Sequence, residues 1–148
     1  TTKAEFGTVL RSGGAAILQP ALGRSGGIWE TKKIAAMAEA FGAQVAPHLY
    51  AGPVEWAANI HLAVTCPNLM MVECIEEGGA FHLPLIGHRI RVEDGHVLAP
   101  EGPGLGIEVD EGLARAHPYG DDFLHLQMQE QPPSYAAPSG FGGGAARD

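Results

Sequence analysis

Along the first half of this chain, short apolar runs break off into Gly-, Pro- or polar-rich residues, and a helix-like stretch separates each run from the next. Residues 15–18, 43–46 and 69–72 are such runs. Each is too short for a helix, and 69–72 (Leu-Met-Met-Val) is apolar throughout, as a strand covered on both faces tends to be. Repeated strand–loop–helix units argue for a parallel sheet with its chemistry at the carboxyl ends of the strands. Those ends carry Gln19-Pro20-Ala21, Pro47-His48 and Glu73. His48 is the most reactive group among them, and Ala21, at the equivalent place one strand earlier, offers no chemistry.

The intervening stretches have helical spacing. Residues 1–12 place Phe6, Val9 and Leu10 on one face, and Gly13-Gly14 ends them. With no strand read before this helix, the chain is expected to open in mid-unit. After Gly26-Gly27, a helix is expected over 28–41, with Ile28, Ile34, Ala35, Ala38 and Phe41 on one stripe and Glu30, Lys32, Lys33 and Glu39 mostly outside. Gly42 suits its C-terminal stop. Pro53 suits the first turn of a third helix running to about residue 65. That helix is apolar nearly all round (Val54, Trp56, Ala57, Ile60, Leu62, Val64), which calls for cover on more than one side.

The pattern changes after Glu73. Residues 90–92 and 96–98 around Glu93-Asp-Gly95 read as a β-hairpin. A loop at 103–106, a short strand at 107–109 and a short helix at 111–116 follow. From 131 to 148 Pro, Ser, Ala and Gly dominate, so an extended or disordered tail is expected. The organisation is thus 1–80 for the strand–helix units, 81–130 for the hairpin and short-helix segment, and 131–148 for the tail.

Bulk properties narrow the function. At 148 residues, 45% hydrophobic and 18% charged, the chain suits one globular domain. A net charge of −8 argues against nucleic acid and anionic membrane surfaces, yet leaves room for a small anionic substrate at a locally positive site. No apolar run approaches the roughly 20 residues of a membrane span, and no secretory signal order is visible, so a cytoplasmic location is expected. Cys66 and Cys74 form neither a metal spacing nor a disulfide framework. A complete eight-unit barrel needs about 250 residues, so three strands with their helices make the closing part of one. The fold class expected is α/β: the C-terminal part of a modified (β/α) TIM-like barrel, the last three strands and their helices, with a returning β-hairpin segment.

Four segments then stand out together: Ile17-Leu-Gln-Pro-Ala-Leu-Gly-Arg-Ser-Gly-Gly-Ile28, Ile34-Ala-Ala-Met-Ala-Glu-Ala-Phe-Gly42, Ala46-Pro-His48 and Gly102-Pro-Gly-Leu-Gly-Ile-Glu-Val-Asp110. In order and spacing they resemble the C-terminal part of the enolase superfamily, in particular its mandelate racemase/muconate lactonizing enzyme-like members and their acid-sugar dehydratases. The resemblance implies an N-terminal capping domain and a modified barrel, of which this chain would run from the fifth helix through the eighth strand. It implies removal of a proton beside a carboxylate, with magnesium stabilising the ene-diolate and a Lys or His as base. His48 matches the family's general-base histidine. Glu73 matches the eighth-strand acid that contacts the substrate carboxylate. The aspartate that pairs with the histidine would fall at position 21, where this chain has Ala21. The family's magnesium ligands lie before the point where this sequence starts, so they are expected outside this chain.

The residue types suit that chemistry. An imidazole is the side chain best matched to moving a proton near neutral pH, and a neighbouring carboxylate would orient it. With Ala21 that help is missing. The plainer reading of His48 is a loop histidine after Pro47. The plainer reading of Glu73 is a buried carboxylate paired with a basic residue, since burial without a partner is costly. Gln19 and Tyr50 are the candidate substrate contacts, against a loop-stabilising amide and a packing ring. Trp56 could also line a pocket or pack in the core. His61, His82, His88, His96, His117 and His125 show no metal spacing and read as surface or structural. Cys74 reads as a small buried residue, Gly104-Leu-Gly106 as a turn, and Glu76-Glu77 as a solvated pair.

The expectation is a magnesium-dependent acid-sugar dehydratase, a lyase active only in combination with the N-terminal part. The alternatives are a racemase/epimerase or cycloisomerase of the same superfamily, or a non-catalytic remnant or assembly subunit. The partners expected are a small carboxylate substrate, the N-terminal part of the same enzyme and further copies in a homo-oligomer.

Overall fold

β1 (Ile17–Leu18) lies parallel to β2 (Gln44–Val45), Ile17 beside Gln44 and Leu18 beside Val45. The computed structural model describes residues 2–74 and 79–118, without the side chains of 79–81. The expected tail at 131–148, Glu76-Glu77 and His125 lie outside the described residues. The β1–β2 ladder runs on from Gln44 N–H donating to Ala16 O (2.9 Å) and Ala46 N–H to Leu18 O (2.9 Å) to His48 N–H donating to Pro20 O (3.2 Å). On the other side of β2, Leu69 forms a parallel bridge with Val45, so three segments stand side by side in chain order. The Asn68 amide staples this third segment by donating to Ala43 O (2.9 Å) and Ala35 O (3.1 Å).

The third strand is shorter than expected. Only Leu69 is bridged, and 70–72 take no strand pairing. β2 meets this segment only through Val45, which donates to Asn68 O (3.0 Å) and accepts from Met70 N–H (2.8 Å). Met70 and Met71 are left 46% and 55% exposed, as is Ile17 at 41% on the opposite edge. These are apolar edges without the cover that such edges require.

Four helices pack on the strands. α1 (Lys3–Arg11) begins at a capping box, in which the Thr2 hydroxyl accepts from Glu5 N–H and the Glu5 carboxylate from Thr2 N–H. α2 (Leu22–Ser25) is a single turn, unforeseen because Gly26 was read as opening the helix directly. Gly26 instead closes α2 at φ +100° and passes the chain to α3 (Gly27–Ala40). α3 buries Thr31, Ile34, Ala35 and Ala38, whereas Ile28 (42% exposed) and Phe41 (56%) lie beyond the edge of the core they were expected to cover. α4 (Pro53–Ala63) explains its own all-round apolarity. Ala58 and Leu62 enter a core with Leu18, Ile34, Val45 and Cys66, while Trp56, Ala57 and Ile60 enter a second with Leu49, Ile86 and Ile90.

α5 (Gly79–Leu85) was not anticipated, and it holds Pro84, a poor helix former, inside it. Leu85 and the following Ile86 are buried, so tertiary packing outweighs local propensity here. β3 (Arg91–Glu93) and β4 (His96–Leu98) form the expected antiparallel hairpin, one residue later than foreseen at its start because Ile90 is drawn into the second core. Asp94 (φ +50°) and Gly95 (φ +75°) form its two-residue turn, the doubly left-handed type that Asp-Gly favours. Residues 107–109 are not a strand. Ile107 packs against the second core, and the next backbone bond is Asp110 N–H to Leu85 O at a helix end, so no ladder is available. α6 (Glu111–Ala116) lies where expected, its first turn capped by the Asp110 carboxylate accepting from Leu113 N–H (2.8 Å). No helix among the described residues is long and apolar enough to cross a membrane.

Candidate acid/base site at the strand ends

The parallel ladder sets the site. Ala21 and His48 form its last bridge, so the residue after Pro47 comes level with the residue after Pro20. Proline lacks a backbone N–H and cannot extend a ladder as donor, which is why both strands stop here. The third segment ends alongside, and its Glu73 reaches back to the middle strand. Glu73 Oε2 lies 2.5 Å from His48 Nδ1 and accepts from Leu49 N–H at 3.0 Å. Both side chains remain open to solvent, His48 36% and Glu73 38% exposed. The expectation of a buried carboxylate at Glu73 is therefore corrected: Glu73 is partly exposed, and its partners are the His48 ring and the backbone amide of the buried Leu49.

Proton placement follows from donor and acceptor chemistry. An ionised carboxylate can only accept, so the shared proton belongs to Nδ1 when the imidazole is neutral. The lone pair then sits on Nε2, the other side of the ring, where a base needs it. Leu49 is 3% exposed within the second core, so the amide that anchors Glu73 is itself fixed by packing.

Two expected substrate contacts sit near this end without joining the pair. Gln19 is exposed just before Pro20, and Tyr50 is 66% exposed two residues after His48. Neither is hydrogen-bonded to His48 or Glu73 among the described residues. Trp56 is a core residue at 3% exposed. Cys74 is exposed, against the expectation of burial, because it follows the last ladder position; the buried cysteine is Cys66. His61 is structural, its Nε2 bonding Leu105 O at 3.1 Å, and His88, His96 and His117 are exposed.

Sequence reasoning missed Glu55. Its Oε1 accepts from Gly23 N–H at 2.9 Å and ties α2 to α4. A Cβ at Gly23 would stand 2.5 Å from Glu55 Oε2, so that approach needs glycine. Gly23 lies in the 17–28 segment, but Glu55 belongs to no motif, and only its place in the first turn of a helix hinted at it. A separate cleft of about 280 Å³ is lined by His88, Arg89, Arg91 and Glu101 and contains neither His48 nor Glu73.

Among the described residues no group of three or more His, Cys, Asp and Glu side chains is placed to hold a metal ion. Magnesium asks for near-octahedral oxygen ligation, commonly including carboxylates. A lone Glu73, one of whose oxygens is already engaged, does not fit that requirement.

Comparison with known proteins covers the same stretch of the chain. The sequence model for the family described as "Enolase C-terminal domain-like" matches residues 1–113. A D-galactonate dehydratase of Ralstonia nicotianae is 40% identical over 115 residues, covering 74% of this chain and 30% of that protein. A D-galactonate dehydratase of Xanthomonas axonopodis pv. citri is 34% identical over 140 residues, covering 90% of this chain and 34% of its own length. Among solved structures, a mandelate racemase/muconate lactonizing enzyme from Sulfitobacter sp. superposes with a TM-score of 0.82 at 70% identity, over 89% of this chain and 33% of the other. The chain thus spans about a third of the length of the relatives it matches.

Proposed function

This chain belongs to the enolase C-terminal domain-like family, and from that premise we propose that it is the closing part of the barrel of a mandelate-racemase-like enzyme, acting as an acid-sugar dehydratase. It would supply the stretch from the fifth barrel helix through the eighth strand. The observation that carries the reading is the pairing of His48 with Glu73 where three parallel segments end. A partly exposed imidazole, backed by a carboxylate on Nδ1 and so with its lone pair on Nε2, is suited to take a proton from the carbon beside a substrate carboxylate, or to return one. In a dehydration the C–H electron pair forms the new C=C bond as the neighbouring hydroxyl departs. That hydroxyl leaves with a proton as water, and the enol tautomerises to a 2-keto acid. Both bonds to Glu73 fall on Oε2, so Oε1 is the oxygen through which it would touch substrate. Gln19 and Tyr50 are the nearest exposed candidates to contact the sugar hydroxyls. Any magnesium ligands would come from outside this chain.

The exposed apolar edges at Ile17, Met70 and Met71 support completion by an N-terminal part of the same enzyme and assembly of further copies. The test is an assay of the assembled enzyme against a panel of sugar acids, beginning with D-galactonate, the substrate named for the curated relatives. Keto-acid formation is expected, and His48→Ala should lower kcat by about 10²- to 10⁴-fold at unchanged melting temperature. Full activity in that variant would overturn the role of His48. A second reading, racemisation or cycloisomerisation, is favoured by the names of the structural neighbours. Solvent deuterium entering recovered substrate without loss of water would decide for it, and no turnover at all would leave the assembly reading.

A further inference from the structure

We propose that Glu73 is the positioning residue for His48, supplying from the third segment the orienting carboxylate that the first strand does not offer. The inference rests on the reading of His48 as the acid/base. Its ground is the way three backbone positions converge on one imidazole. The bridge to Ala21 puts only a methyl group beside His48 from β1. From the opposite side Glu73 Oε2 meets Nδ1 at 2.5 Å, and the same oxygen is held by Leu49 N–H at 3.0 Å. Leu49 cannot swing, because its side chain is buried with Trp56 and Ile60. The second core thereby fixes an amide, the amide fixes a carboxylate oxygen, and the oxygen fixes both the tautomer and the facing of the ring. Nε2 is left unprotonated on a ring whose side chain is 36% exposed. Glu73 can do this while keeping Oε1 for substrate, so the geometry allows one side chain to position the base and to touch the acid it acts on.

The two roles make different predictions, and the position of Ala21 provides the means to separate them. The substrate-free assembled enzyme, labelled with ¹⁵N-histidine, would be examined by long-range ¹H–¹⁵N NMR, with the His48 signals assigned by their loss in His48→Ala. Neutral His48 should carry its proton on Nδ1 in the parent protein. In Glu73→Ala the tautomer should pass to Nε2–H, and kcat should fall about 10²- to 10⁴-fold, the range of a lost acid/base contribution, with KM changed only a few-fold. Adding Ala21→Asp to Glu73→Ala places a carboxylate on the bridge partner of His48, and should restore the Nδ1–H tautomer together with at least about tenfold of kcat. If Glu73→Ala melts early, Glu73→Gln replaces it. That neutral amide can still accept through its oxygen, so an intermediate loss with a retained tautomer is expected. A parent His48 protonated on Nε2, a tautomer indifferent to Glu73→Ala, or a loss of kcat that Ala21→Asp leaves unrepaired would each overturn the proposal. The tautomer measurement needs no turnover. An enzyme inactive on every acid would therefore defeat the proposed function while the positioning of His48 is still decided.

Discussion

The parallel segments of the first half and the returning hairpin are both built from short strands, yet only the first group brings His48 and Glu73 together. β1 and β2 have two residues each, and Leu18 and Val45 within them are 3% and 0% exposed. β3 and β4 have three each, and none of those residues is fully buried. In the hairpin, partners are joined by a two-residue turn, so pairing is local and its surface stays wet. In the parallel group every pairing spans a helix, so the strands are covered as a consequence of being connected. The same crossing brings all the strand ends to one side, and it places Glu73 beside His48 although 25 residues separate them. The regions are not independent, because α4 lies between their two cores and Leu49 of the second core anchors Glu73 of the first region.

That contrast can be broken from either side. The largest effect should come from the core beneath the parallel segments. Leu62 is 1% exposed there, and Leu62→Ala should cost about 2–5 kcal/mol of stability, read as a lowered denaturation midpoint in the assembled enzyme. Activity should fall with it, because the strands that carry His48 and Glu73 rest on that core; an unchanged midpoint would show that α4 is not what holds them. A smaller effect is expected at the hairpin turn. Gly95 sits at φ +75° with open space around its Cα, so Gly95→Ala meets no clash and only the backbone penalty of about 1 kcal/mol. Faster hydrogen exchange confined to the amides of 91–98, with kcat intact, is the expected result, and loss of activity would show the hairpin to be part of the site.

The smallest effect should lie on the outer helices. Lys3 first, and then Lys33, hold the Glu30 carboxyl below its ordinary value of 4.5 by hydrogen bonding to it. A lowered folded-state value means that this contribution is complete above 4.5 and fades as pH falls through the lowered value. Glu30 is solvent-facing, so the effect should be slight. Melting curves taken from neutrality down through the carboxylate range should show a slightly shallower loss of stability in Glu30→Gln than in the parent protein.

Local chemistry made part of this legible in advance. Asp94-Gly95 announced the hairpin because few dipeptides accept two left-handed residues in succession. The helix expected at 111–116 is α6, and the Asp110 carboxylate caps an open N–H of its first turn. The all-round apolar face of 53–63 required two coverings, and two cores are what it meets. Where reading by pattern failed, a distant partner decided the outcome. The run at 69–72 is as apolar as a buried strand but is bridged only at Leu69, because β2 meets it through Val45 alone. Residues 107–109 meet a helix end instead of a ladder. α5 forms around Pro84 because Leu85 and Ile86 gain more from burial than the helix loses from a breaker.

For the site, the sequence alone determined that a histidine and a glutamate stand at successive strand ends, since the spacing of apolar runs and their breakers is written along the chain. It also determined that position 21 holds no carboxylate. Only the tertiary structure decided what that absence means. A parallel register set by backbone bonds brings Glu73 across to Nδ1 of His48, and a buried Leu49 holds it there. A hydrogen bond between residues so far apart depends on distance and direction in space, and spacing along a chain specifies neither.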